Sequence, residues 1–412
     1  MSKKLKVLVV PSDRTGVSYF RSTKPNLHLE KLYPDEFHVD IEYEPKLDDD
    51  EWIKQYDVIH YHRTLGPYEG TEDLIKRIKS LGVVTIMDLD DYWLPDRTHP
   101  AYHIVKNNNI DVNILNNIKN AENVTTTTKL FANEIKKYNK NVEIIPNAID
   151  PNEKQYIPNP EKSDRIRIGW LGGSSHLNDL KLLNQLSSKL KSDGLLDKVQ
   201  FVVCGFDIRG KVNTINEKTG EQKQRDILPH ETVWVEYEKI FTNNYSIISP
   251  EYREHLNRFV TQEYDGIENE PYRRVWTKPI SNYATNYNLF DISLAPLAEN
   301  TFNKVKSQLK VIESGFHKKA LIAQNYGPYT IDIENAYLKG GDVDLTKNGF
   351  LVDSHRNHKS WYQYLKKLIL NPEMIKTFGD NLYNTVINTY SMDKVTENRA
   401  KYYKKLVFEA KK

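Results

Sequence analysis

The sequence predicts an α/β protein of two domains. Three observations predict it: short apolar runs alternate with helical patterns, a polar, proline-bearing stretch at 147–165 breaks that alternation, and the alternation then resumes. The elements follow in chain order. KVLVV (6–10), HVDIEY (38–43), DVIHYH (57–62), VVTIMDL (83–89), NVTTTT (123–128) and VEIIP (142–146) are rich in β-branched residues and read as strands. Helices are expected near 17–31, 71–80, 111–120 and 128–138. Alternation of this kind implies a mostly parallel sheet covered on both faces.

The stretch 147–165 carries three prolines and reads as a linker. Beyond it come a strand at 165–171, a helix over about 177–193 and a strand at 199–205. Strands at 291–297 and 319–325 follow, with a helix between them starting at Asn303. Residues 206–270 interrupt this second domain. A hairpin is expected around Lys218-Thr219-Gly220, a strand over 231–237, and a capped helix from Ser249 or Pro250. Trp234 and Tyr237 read as exposed aromatics for a partner to dock on. The tail, 358–410, is helical, with breaks at Asn371-Pro372 and around Ser391. The organisation is 1–150, then 165–390 with the insertion 206–270, then a terminal helix at 391–412.

Of 412 residues, 39% are apolar and 28% charged, a globular balance with enough chain for sizeable cores. The net charge of +2 gives no strong nucleic-acid signal. One cysteine, Cys204, excludes an intrachain disulfide framework and a thiolate metal cluster. The apolar run after MSKK is about five residues, too short for a secretion signal. No run approaches the ~18 apolar residues of a membrane span. A cytoplasmic location is expected; oligomeric state is not legible.

In NKVKSQLKVIESG (303–315), Lys306, Lys310 and Glu313 share one helical stripe. A helix start favours acidic residues, because its free N–H groups carry partial positive charge. Lysines there point to a bound anion, and ligands in open α/β sheets sit at the carboxyl ends of strands. Lys306 and Ser307 are then first-turn groups at that rim, with Glu313 placed to accept from a ribose. The bland alternative is a solvated face with Lys310 paired to Glu313. GWLGGSSH (169–176) follows a strand and precedes a helix. Gly172 and Gly173 permit close backbone approach, and Ser174, Ser175 and the helix start offer donors, a natural phosphate cradle. A serine-capped turn is the alternative.

In the first domain, Arg14, Gly16 and Arg21 follow the first strand and are expected at the cleft; a salt bridge of Arg14 with Asp13 is the alternative. Beyond the strand at 83–89 lie Asp88, Asp90, Asp91 and His99. They suit a hard cation, an acceptor hydroxyl and its base, or a helix cap.

Taken together, IIPNAID (144–150), IGWLGGSSHLNDL (168–180), FDISLAPL (290–297), KSQLKVIESG (306–315) and ALIAQNYGPY (320–329) resemble the GT-B glycosyltransferases of the retaining family 4 type, the glycosyl transferases group 1. DRTGVSYFR and DLDDYW are similar to stretches of bacterial and phage relatives. The resemblance covers most of the chain outside 206–270. It implies two Rossmann-like domains facing across a cleft, a nucleotide-sugar (UDP- or GDP-linked) held mainly by the second, and a C-terminal helix returning to the first. It implies Glu313 as the ribose-binding glutamate. The loop Gly172–Ser175 with His176 and the segment 306–310 would hold the diphosphate. Asp90, Asp91, His99, Lys306 and Lys310 are the expected catalytic groups, with no metal and no cofactor. Asp-Leu-Asp also resembles the metal–nucleotide motif of the other major glycosyltransferase fold.

Two positions depart from the family pattern. Val305 stands where relatives carry another glutamate, and GGSSH stands where they carry Arg and Lys. Lys306 and Lys310 are expected to supply that charge from a different element. The expected activity is sugar transfer to a glycan, lipid-linked or protein acceptor. The rivals are glucosylation of a modified nucleic-acid base, and a non-catalytic sugar- or partner-binding protein.

Overall fold

Valine- and isoleucine-rich runs build the first sheet: β1 (Leu5–Val10), β2 (Phe37–Ile41), β3 (Val58–His62), β4 (Val84–Leu89), β5 (Asn123–Thr126) and β6 (Val142–Ile144). All pair parallel in the order β2-β1-β3-β4-β5-β6. Every residue of β3 and β4 is buried, as in strands covered on both faces. This computed structural model describes residues 4–66, 70–205, 211–215, 222–226, 233–242, 272–276 and 278–412.

The second sheet starts with β7 (Ile166–Gly172) and β8 (Val199–Gly205). Next, β9 (Lys211–Ile215) and β10 (Gln222–Asp226) pair antiparallel as a separate ribbon. These are the strands of the expected hairpin; its turn at 218–220 lies outside the described residues, as does the helix expected from Ser249. Then β11 (Tyr272–Trp276), β12 (Ile292–Ala295), β13 (Ala320–Gln324) and β14 (Phe350–Val352) complete a parallel sheet in the order β11-β8-β7-β12-β13-β14. The chain runs outward from β7 to β8 and β11, then returns to the other side of β7 as β12. The crevice beyond β7 and β12 is therefore the topological switch point.

Three expected elements differ. Residues 231–237 do not form a strand: Trp234–Phe241 is a helix. Trp234, Tyr237 and Phe241 recur at helical spacing and all join the second domain's core, so neither Trp234 nor Tyr237 is an exposed docking aromatic. Arg274 on β11 and Glu238 on this helix form a buried ion pair at 3.1 Å. The helix expected over 177–193 breaks at Gln185, whose φ is 72°.

The helix expected from Asn303 also breaks. Thr301–Lys304 is one short turn, capped by the Asn300 side chain, and a separate helix spans Leu309–Phe316. The cause is packing. Val305 is buried in the first domain's core, whereas Ile312 and Phe316 are buried in the second's. One straight helix cannot serve both, so Lys306 and Ser307 lie in the joint rather than in a first helical turn.

The last helix, Met392–Ala410, lies on the first sheet. Ala400, Tyr403, Leu406 and Val407 pack with Val7, Val9, Leu29 and Ile86. The Tyr403 hydroxyl donates to Asn26 Oδ1 at 3.0 Å. The chain thus crosses between domains twice, and the crossings touch: Ile149 N–H donates to Tyr390 O and Met392 N–H to Ile149 O.

Candidate active site

A cavity of about 780 Å³ opens between the strand ends of the two sheets. The second domain contributes Leu171 and Gly172 at the end of β7, Gly173 and His176 after it, Gly205 at the end of β8, and Lys278 to Ile280 with Tyr283 and Asn286 after β11. After β12 come Lys306, Ser307, Leu309, Lys310 and Glu313, and after β13 Tyr329. The first domain contributes Arg14, Thr15 and Gly16 after β1 and Asp91 after β4. Two of the glycines, Gly172 and Gly205, have a steric reason. Gly205 has φ +149°, and a Cβ there would meet Gly172 O at 1.8 Å.

The loop after β7 is tied down by Tyr237. Its hydroxyl accepts from His176 N–H at 2.9 Å and donates to Gly173 O at 3.0 Å. His176 Nδ1 meets Asp179 Oδ2 at 2.7 Å. Asp179 is itself fixed, its Oδ1 accepting from Ala298 N–H at 2.7 Å and Asn303 Nδ2 at 3.0 Å. Burial, then the Lys306 charge, lower the His176 imidazole to about 4.

Lys310 lies over the Trp170 ring at 5.2 Å and donates to Leu171 O. Burial and the neighbouring Lys306 charge bring its ammonium down to about 8. Lys306 lies 4.9 Å from the Phe302 ring centroid. Glu313 is 3% exposed; Tyr287 donates to its Oε2 at 3.1 Å, while Oε1 has no hydrogen-bond partner among the described residues. Burial raises this carboxyl well above its ordinary range. Lys310 and Glu313 are thus not a surface pair. Both polar atoms of Asn286, fully buried on the same wall, are also without a partner among the described residues.

On the first-domain side the acidic cluster divides. Asp88 is buried and bonded to Arg21 at 2.7 and 3.0 Å. Burial opposes its charge, but Arg21 outweighs burial and lowers the carboxyl. Asp90 accepts from His62 Nε2 at 2.9 Å, and His62 Nδ1 meets Ser12 Oγ at 2.9 Å. Burial also opposes charge on Asp90, but His62 and then Arg63 hold its carboxyl low. Asp91 has only a 3.9 Å approach from Arg63, and burial with the adjacent Asp90 charge raises it. Among the described residues, no group of three His, Cys, Asp or Glu is placed to hold a metal ion.

No protein-family model and no curated protein sequence matches the chain. Solved structures do. A glycosyltransferase from Rickettsia africae aligns over 99% of this chain and 99% of its own at 13% identity, with a TM-score of 0.57. HepE from Anabaena, solved in complex with UDP, aligns over 98% and 100% at 12% identity and 0.54. The apo structure of OtsA aligns over 98% and 99% at 8% identity and 0.54.

The fold is GT-B. Its two Rossmann-like domains place the strand ends of both sheets on one cleft. That cleft gathers Arg14, Gly16, Asp91, Gly172, Gly173, His176, Lys306, Ser307, Lys310 and Glu313.

Other expected residues lie elsewhere. Arg21 is 1% exposed and spends its guanidinium on Asp88, Ile145 O and Asn147 Oδ1, tying β4 to the chain before the linker. Asp90 is held by His62. Ser174 and Ser175 are in the β7 loop but off the cavity wall. His99 is off the wall too; its Nδ1 accepts from Ala101 N–H, and its ring meets Phe302 of the other domain at 5.4 Å. Arg14 lies over Tyr43 at 4.1 Å, and Asp13 accepts from Thr15 instead. Sequence reasoning missed Asn286, Lys278 and Asp179, and took Tyr237, which ties the β7 loop down, for an exposed docking aromatic. Lys278 and Asn286 follow a strand end, the signal that picked out the other loops, but an unread β11 hid it.

Among the described residues, no helix is long and apolar enough to cross a membrane.

Proposed function

We propose that the chain transfers a sugar from a nucleotide-sugar donor, UDP- or GDP-linked, to a hydroxyl of a glycan, lipid-linked or protein acceptor. One observation carries this reading: one cavity holds Lys306 and Lys310 beside the Gly172-Gly173 loop, with Glu313 on the same wall, its Oε1 without a hydrogen-bond partner among the described residues. Cations and close backbone suit a diphosphate; a buried carboxyl with a free oxygen suits a ribose hydroxyl. HepE, of the same fold, is solved with UDP-glucose bound, which supports the same donor class here.

The chemistry is electrostatic. Breaking the glycosyl–phosphate bond builds negative charge on the departing diphosphate, and preorganised cations aimed at it lower the barrier. Lys306 and Lys310 take that role without a metal. Asp91 faces the donor from the first domain. Its raised carboxyl stands nearer neutrality than an ordinary aspartate, which suits a base for the acceptor hydroxyl. We assign retention of the anomeric configuration by the family resemblance, for a product-stereochemistry measurement to check.

The test is release of nucleoside diphosphate from UDP-glucose or GDP-mannose, with and without EDTA. Release that persists in EDTA is expected. Binding without release with any acceptor or water would make the chain a sugar-nucleotide-binding protein instead.

A further inference from the structure

The His176–Asp179 pair has more built into it than positioning of a loop requires. A carboxylate only accepts, so Asp179 Oδ2 at 2.7 Å fixes the proton of neutral His176 on Nδ1. That leaves Nε2 as a lone-pair nitrogen on a residue that lines the cavity. The ring is held on three sides. Its backbone N–H is bonded to Tyr237, its face packs edge-on to Trp170 at 5.8 Å, and Asp179 cannot turn away, because Ala298 and Asn303 hold its other oxygen.

The charged and titratable groups around it come from every neighbouring element. Asp179 lies one turn on, Lys306 and Lys310 follow β12, and Tyr237 lies on the insertion helix. The two lysines oppose a third positive charge on His176. An anion between them reverses that balance, since it neutralises the lysines and offers Nε2 an acceptor.

We propose that His176 takes up one proton on Nε2 when a nucleotide-sugar diphosphate binds, and then donates a charge-assisted hydrogen bond to the departing diphosphate. This rests on the nucleotide-sugar reading above. The proton comes from solvent, and the resulting imidazolium is clamped between the Asp179 carboxylate and a phosphate oxygen. When the glycosyl–oxygen bond breaks, its electron pair stays on the diphosphate. The Nε2–H bond strengthens as that charge grows. Donor affinity then falls as pH rises, because each binding event consumes a proton.

The experiment is titration calorimetry of the whole chain with UDP-glucose and with GDP-mannose near pH 7, in buffers of low and high ionisation enthalpy. Their diester phosphates do not titrate there, and Lys310 is already largely protonated. The expected slope is about one proton taken up per donor bound in wild type. H176Q should bind more weakly, with an uptake near zero. Heat of binding with no dependence on buffer in wild type, or uptake that persists in H176Q, overturns the proposal and leaves the nucleotide-sugar reading standing. Absence of binding by either donor overturns both. The wild-type measurement decides the matter even if a variant folds poorly.

Discussion

The Tyr287 hydroxyl donates to Oε2 of Glu313 at 3.1 Å, while Oε1, on the cavity wall, has no partner among the described residues. The Tyr287 ring is stacked on His317, with centroids 5.2 Å apart, so the hydroxyl is held in place from behind. A buried polar oxygen without a partner is costly to fold around unless a ligand completes it.

Removing that oxygen should weaken the donor. E313A is expected to lower nucleotide affinity by about 1–3 kcal/mol, roughly 5- to 150-fold. E313Q, shaped like a protonated carboxyl, should lose less. Calorimetry with a nucleoside diphosphate and with pyrophosphate separates the roles: pyrophosphate binding should be unchanged in both variants. An equal loss for pyrophosphate would remove Glu313 from the ribose.

The same carboxyl sets a pH dependence of stability. Its ordinary value is 4.5 and burial raises it in the folded chain. Above that value the unfolded state loses the proton while the native state keeps it. The native state then binds more protons, and stability falls as pH rises through the window up to the folded value. E313Q removes this penalty. It should be more stable than wild type near about pH 7, with the gap closing towards about pH 4. Urea midpoints across that range check it, and a gap independent of pH would contradict it.

Lys310 should set the alkaline limb of activity. With its ammonium at about 8, the free enzyme loses a cation as pH rises past that point. The expected kcat/KM falls more steeply above that point than below it, where proton uptake at His176 alone sets the slope. K310A should lose about 10²–10³ in kcat, the usual cost of one such donor. K310R keeps the charge and should carry the limb upward. A limb that stays in place in K310R belongs to another group.

Arg21 should matter for folding rather than for the donor. It and Asp88 are 1% and 0% exposed, so R21A strands a buried carboxylate. The expected cost is about 3–5 kcal/mol in urea unfolding. A cost below about 1 kcal/mol would mean the pair is solvated.

Much of the fold was legible because its strands are short segments rich in β-branched and other apolar residues, separated by helical patterns. The helix at Trp234–Phe241 was not, because its first residues alternate like a strand and its spacing shows only with Phe241 included. The break at Lys306 was hidden for a different reason. Val305 belongs to a core whose other buried members lie at Ile135 or earlier, and no local pattern records that. Within the site, groups read from strand-end position did reach the cavity: Gly172, Lys306, Lys310 and Glu313. Asp90 and Arg21 did not, because chemistry-bearing residue types are also the ones that pair with each other in a buried layer.

A thermal-shift panel of UDP, GDP, ADP, CMP and their sugar conjugates, with and without EDTA, tests the donor site most directly. A ligand at about 100 Kd adds about 2.7 kcal/mol of stability. One nucleotide class should raise the midpoint of wild type, EDTA should leave that rise intact, and the double variant K306A/K310A should lose it. No rise with any of these ligands, or an undiminished rise in the double variant, would contradict the assignment of this cavity to a nucleotide-sugar.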